Sequence, residues 1–123
     1  MDVPTIRTRL RDIAYARSGD KGSSSNIGLI AYTAEGYRYL RDVVTADTVK
    51  SYFQALGPVQ VDRYEIPGLW AFNFLLKGVL GEGGSRSLRI DAQGKALAVA
   101  LLEMELELPV ELHDQCVRKR EEI

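Results

Sequence analysis

The sequence predicts an α+β sandwich in which helices cover one face of a mixed or antiparallel sheet. Some segments carry apolar residues at helical spacing and others alternate them, the two kinds interleave along the chain, and Gly, Pro and Ser punctuate the junctions. With 123 residues, 46% hydrophobic and 27% charged, the chain has room for one modest core.

The elements follow in order. Thr8 to Ala16 alternates imperfectly and has enough β-branched and aromatic character for a strand. Arg17 to Asn26, rich in Gly and Ser, reads as a loop without regular structure. Ile27 to Tyr32 is an apolar run short enough for a buried strand. Thr33 to Val44 reads as a helix with Tyr37, Leu40 and Val44 on one side, weakened at Gly36. A clearer helix spans Ala46 to Leu56: Thr45 offers an N-cap oxygen, Val49, Tyr52, Phe53 and Leu56 recur at helical spacing, and Gly57-Pro58 stops it. Val59 to Ile66 changes the parity of its apolar face midway, which predicts a strand with a bulge near Asp62-Arg63. Leu69 to Leu80, apolar nearly all round, predicts a mostly buried helix with Asn73 and Lys77 as its polar stripe. A second Gly-rich loop begins at Gly81. The segment after Asp91 predicts a helix, with a hairpin turn as the other reading, that buries Leu97, Leu101 and Met104. Glu103 to Leu108 alternates strictly, as a strand wet on one side does, and Pro109 closes it. The charged tail from Glu111 to Ile123 predicts a mobile end or one that packs only on a neighbouring subunit.

Composition removes several classes of function. Sixteen basic residues against seventeen acidic ones leave no general bias toward nucleic acid or anionic lipid, so anion binding has to come from local clustering. A single Cys and a single His exclude an internal disulfide and a Cys/His zinc site. Met1-Asp2-Val3-Pro4 does not resemble a signal segment, and no apolar run reaches the ~18 residues of a membrane span. The expectation is a metal-free, cofactor-free cytoplasmic protein that contacts neither membrane nor nucleic acid.

Two Gly-rich basic segments are the candidate chemistry. In RSGDKGSSSNIG, Arg17 to Gly28, Gly19 and Gly22 let the backbone approach a ligand, Arg17 and Lys21 bring charge, and Ser18 and Ser23 to Ser25 bring hydroxyls; the set suits a phosphate or carboxylate. Asp20 beside Lys21 suits a general base or a turn-capping carboxylate. Neither a Walker A loop nor a dinucleotide fingerprint is present, and a hairpin loop held by Asx and Ser turns is the plain alternative. In GVLGEGGSRSLR, Gly78 to Arg89, Arg86 and Arg89 form a fork for an acid, or else two solvated cations on a connection. Asp20, Lys21 and Asn26 are therefore candidate reacting groups. Arg17, Ser18, Gly19, Gly22, Asn73, Arg86 and Arg89 are candidate ligand contacts. Trp70, Phe72 and Phe74 suit either core or an acyl pocket, and His113 and Cys116 lack a nucleophile motif.

The stretches RDIAYARSGDKGSSSNIG, Arg11 to Gly28, and GEGGSRSLRIDAQGKAL, Gly81 to Leu97, resemble the ferredoxin-like domain at the C-terminal end of the AtuA, or acyclic terpene utilisation, family, a domain also encoded as a small protein by itself. The most specific matches are Ala16 to Gly22, Asn26-Ile27-Gly28, Asn73-Phe74 and Ser87-Leu88-Arg89. The resemblance runs from about Val3 to Pro109, which places a domain over residues 1–109 and a tail over 110–123. It implies a ferredoxin-like α+β fold and a setting in bacterial breakdown of acyclic terpenes or branched acyl chains through CoA thioesters. It assigns no role to Asp20, Lys21 or Asn26. Full-length members carry a larger N-terminal domain, which the expectation assigns here to a separate chain. Two readings follow: an accessory or catalytic component that binds an acyl-CoA or related acid, or a non-enzymatic subunit that forms a homo-oligomer or docks that larger chain.

Overall fold

Strand β1 (Thr5–Arg9) pairs antiparallel with β6 (Glu105–Pro109), and a second antiparallel sheet holds β2 (Ala14–Lys21), β3 (Ser24–Ala31), β4 (Gln60–Ile66) and β5 (Ala71–Lys77) in the order β2-β3-β5-β4. Helices α1 (Ala34–Val43) and α2 (Ala46–Tyr52) lie between β3 and β4 in sequence, α3 (Ala96–Leu102) precedes β6, and α4 (Val110–Cys116) follows it. The computed structural model describes residues 4–21, 24–58, 60–78 and 96–117.

Both β3 and β4 run antiparallel to β5, so they are parallel to each other, are joined through α1 and α2, and have β5 inserted between them. That split β-α-β unit is the centre of a ferredoxin-like sheet. Here the edge place beside β3 is filled by β2, which arrives from the N-terminal side through a hairpin, and α3 packs on β2 and β3. One face of the sheet carries the core: Ile27, Leu29, Phe72, Phe74 and Leu76 are fully buried with Leu40 of α1, Val49 of α2 and Leu101 of α3. Leu106 and Leu108 of β6 join the same cluster. Each fully buried side chain of this size contributes roughly 1.5–3 kcal/mol over its exposed state.

Local signals explain the helix starts. Thr33 and Thr45 are the N-caps, their hydroxyls accepting from Gly36 N and Thr48 N at 2.9 and 3.2 Å. Gly57, at φ 66°, ends the turn after α2. Leu97, Leu101 and Met104 are buried as their spacing predicts.

Five expectations need correction. The strand over Thr8 to Ala16 is two strands in different sheets, because Leu10 and Ile13 both enter the core and a 3-10 turn at Leu10–Asp12 turns the chain between them, with Arg9 N donating to Asp12 Oδ2. The segment Arg17 to Asn26 is not an irregular loop: β2 and β3 stay paired from Ala14↔Ala31 to Lys21↔Ser24. Ladder pairing and Ser25 Oγ, which donates to Gly19 O at 2.9 Å, override the weak strand propensity of Gly and Ser. Where the sequence predicts a helix over Leu69 to Leu80, the described residues form a turn at Leu69–Trp70 and then β5 from Ala71 to Lys77, an inner strand, which also reads as nearly continuous apolar sequence; residues 79 and 80 lie outside the described residues, and Phe72 and Phe74 alternate along the strand rather than following helical spacing. The bulge near Asp62-Arg63 is absent, since β4 stays in step with β5 from Gln60↔Lys77 to Ile66↔Ala71. The parity change arises because Val61 faces the core whereas Tyr64 and Ile66 face away from it. The start of the tail is also ordered: α4 packs on α1, Cys116 is fully buried, and Thr33 Oγ1 donates to Gln115 O at 2.7 Å.

Candidate functional site

Register decides which candidate residues share a surface. Side chains opposite one another in a ladder project to the same face, and neighbours along a strand alternate. With Ile27, Leu29, Phe72 and Phe74 on the helix-covered face, the other face is laid out in rows across the strands. Tyr15, Ile30, Ala71 and Ile66 make the first row; Arg17, Gly28, Asn73 and Tyr64 the second; Gly19, Asn26, Leu75 and Asp62 the third. The hairpin and the inner strand thus bring Arg17, Gly19, Asn26 and Asn73 onto one surface, which we call the open face.

At its centre Asn26 Nδ2 donates to Asn73 Oδ1 at 3.1 Å. This orientation leaves the Asn26 carbonyl and the Asn73 amino group turned to other partners. Gly28 separates Arg17 from Asn73 with no side chain in the gap, and a Cβ at Gly19 would come within 3.3 Å of Asn26 Oδ1. Arg17 is exposed and has no ion-pair partner among the described residues. On the β4 side Asp62 accepts from Gln60 Nε2 at 2.9 and 3.0 Å and pairs with Lys77 Nζ at 3.4 Å. The Gln60 hydrogen bond holds its carboxyl below the ordinary carboxylate value against the opposing effect of burial, with Lys77 adding to the lowering.

Ser18 pairs with Ile27 and so lies on the helix-covered face, away from Arg17. Asp20 and Lys21 pair with Ser25 and Ser24 at the end of the hairpin. Gly22, Arg86 and Arg89 lie outside the described residues, as does most of the second Gly-rich segment. Lys77 is on the open face, with Asn73, as strand alternation requires. Cys116 is buried inside the α1–α4 contact and burial pushes its thiol up from the ordinary value, which suits packing rather than nucleophilic chemistry.

The same face carries a feature that residue-by-residue reading missed. On it Tyr15, Tyr64 and Ile66 are 43%, 53% and 38% exposed; apart from it, Leu69 and Trp70, in the turn that joins β4 to β5, are 67% and 42% exposed. Tyr15 stacks on Tyr32 with ring centroids 5.7 Å apart. Trp70 has φ 55°, a left-handed backbone that costs a bulky residue on the order of 1–3 kcal/mol. The parity switch in Val59 to Ile66 was the signal in the sequence: it placed Tyr64 and Ile66 opposite to Val61.

Elsewhere, a shallow groove of about 600 Å³ lies between α1, α2 and β6, lined by Tyr39, Val43, Tyr52, Met104 and Leu106 among others. The hydroxyls of Tyr39 and Tyr52 are already committed there, to Glu107 O at 3.1 Å and Ala100 O at 2.6 Å.

No curated protein and no solved structure matches the chain. The family model described as the AtuA ferredoxin-like domain matches residues 8–107, from the middle of β1 into β6, and so takes in both sheets and the open face. An antiparallel sheet built on a split β-α-β unit, matched over that length, places the chain in the AtuA ferredoxin-like domain family.

Proposed function

We propose that this domain is an accessory subunit that works by association through the open face of β2-β3-β5-β4, in the setting its family implies, the breakdown of acyclic terpenes or branched acyl chains. The observation that carries the reading is the exposure of Tyr15 at one edge of the open face and of Tyr64 and Ile66 at the other, with Leu69 and Trp70 exposed in the turn that follows β4. Exposed apolar and aromatic groups that stand together, rather than scattered, mark interaction surfaces. Strain held at Trp70 supports it, because a left-handed tryptophan persists only where the surroundings or function favour it. The test is binding to the larger N-terminal-type AtuA chain, prepared separately and followed by size exclusion. A complex that is weakened about tenfold by Tyr64→Arg is the expected result, and equal binding by wild type and variant overturns the reading.

A second reading rests on Arg17 and the Asn26–Asn73 pair. A guanidinium without an ion-pair partner among the described residues, a gap at Gly28 and an amide donor at Asn73 suit a carboxylate or phosphate, such as those of an acyl-CoA. Calorimetric titration with a branched acyl-CoA tests it: Arg17→Ala is expected to weaken binding about tenfold, and no heat from the wild type at millimolar ligand overturns it.

A further inference from the structure

We infer that the free edge of β6, where it borders the groove beside α1 and α2, takes up an extended segment of a partner polypeptide in which basic and apolar residues alternate. This surface is separate from the open face, and the inference does not rest on the association proposed there.

Hydrogen-bond phase shows what β6 offers. Leu10 N donates to Met104 O at 2.9 Å and Val110 N to Pro4 O at 3.0 Å, and both pairs continue the β1–β6 register. In an antiparallel ladder bonded pairs alternate with non-bonded ones, so Leu106 and Leu108 turn their backbone groups to β1, and Glu105 and Glu107 turn theirs away from it. Tyr39 of α1 bears out the direction by donating its hydroxyl to Glu107 O at 3.1 Å. That bond, and Pro109 with no N–H, close one end of the edge. What is left is Glu105 N–H, Glu105 C=O and Glu107 N–H, which have no partner strand among the described residues and border a groove of about 600 Å³ lined by Met104, Glu105, Leu106 and Glu107 on this side. Such an unpaired edge is a template for another extended chain.

The side chains select which chain. A residue opposite Leu106 projects to the same face as Leu106, where Val43, Tyr52 and Met104 line the groove, and has to be apolar. Residues opposite Glu105 and Glu107 stand on the outer face beside those carboxylates, the only charged groups among the described residues that line the groove. Arg7 reaches the two carboxylates at 3.8 and 3.5 Å, Thr5 Oγ1 donates to Glu107 at 2.7 Å, and both glutamates stay more than half exposed, so each keeps acceptor capacity for a second cation on the groove side. The matching pattern is already present on the other edge of β6, where Arg7, Thr8 and Arg9 lie opposite Glu107, Leu106 and Glu105. A second copy of this chain is the wrong occupant, because β6 on β6 about a two-fold axis sets these glutamates against each other.

The test is fluorescence anisotropy of a short, labelled, end-capped peptide of alternating arginine and valine, titrated with the full chain. Binding is expected, and about tenfold weaker binding for the glutamate–valine counterpart. The arginines lie opposite Glu105 and Glu107 and so turn their own backbone groups toward β6. N-methylation at the arginines is therefore expected to weaken binding at least about tenfold, and at the valines less than about threefold. Glu105 is exposed, so Glu105→Lys leaves the core intact; it is expected to weaken the arginine–valine peptide about fivefold and to strengthen the glutamate–valine peptide by a similar factor. No binding of the arginine–valine peptide at millimolar protein overturns the inference. Binding that is indifferent to which amides are methylated overturns strand addition, and binding indifferent to Glu105→Lys overturns the assignment to β6.

Discussion

Arg63 shows how one charged residue serves the core from an edge strand. Its guanidinium donates to Arg41 O and Val44 O at 2.8 and 2.9 Å, pairs with Glu65 at 3.1 Å and lies 5.1 Å from the centre of the Phe72 ring. The two carbonyls end α1, where a helix leaves acceptors without internal partners and where positive charge is favoured. Arg63→Ala is expected to destabilise the fold by about 1–3 kcal/mol, measured by denaturant unfolding. Asp62, on the opposite side of the same strand, titrates below its ordinary 3.8. A carboxylate with a lowered folded value contributes stability above its ordinary value and loses it as pH falls through the lowered one. Asp62→Asn is therefore expected to lower stability modestly at neutral pH and to flatten its further loss below about pH 4, where variant and wild type converge, as thermal melts across pH would register.

At the scale of elements, β5 is the member on which the sheet depends. It pairs with β3 on one side and β4 on the other, and it alternates between Phe72, Phe74 and Leu76 in the core and Asn73 and Leu75 on the open face. Phe74→Ala is expected to cost about 3–5 kcal/mol, whereas Leu75→Ala, one residue on, costs about 1 kcal/mol or less, and the contrast in unfolding midpoints reports the alternation. The apolar content of this segment was plain in the sequence, and its form was not. A strand flanked on both sides and a buried helix share the same continuous hydrophobicity, so periodicity cannot separate them without knowing the neighbours. The hairpin β2–β3 was hidden for the opposite reason. Gly19, Ser18 and Ser25 have weak strand propensity, and only pairing with each other and with β5 makes them extended.

For the whole molecule, the two cationic Gly-rich segments of the sequence became one described hairpin and one stretch outside the described residues, so the candidate site now rests on the open face. A face that unites Arg17, Asn26 and Asn73 with Tyr15, Tyr64 and Ile66 is larger than any one motif. The sequence by itself determined the α+β class, the capped helices at Thr33 and Thr45, the wet strand β6 and the family, because these are set by local hydrogen bonding, periodicity and residue identity within a few turns or pairs. Only the tertiary structure decided that Arg17 and Asn73, 56 positions apart by subtraction of their numbers, share a row, and that Ser18, next to Arg17, does not. Strand register is a long-range choice: a slip of one residue would turn every side chain to the other face, and it is the burial of Ile27, Phe72 and Phe74 against the helices that fixes it.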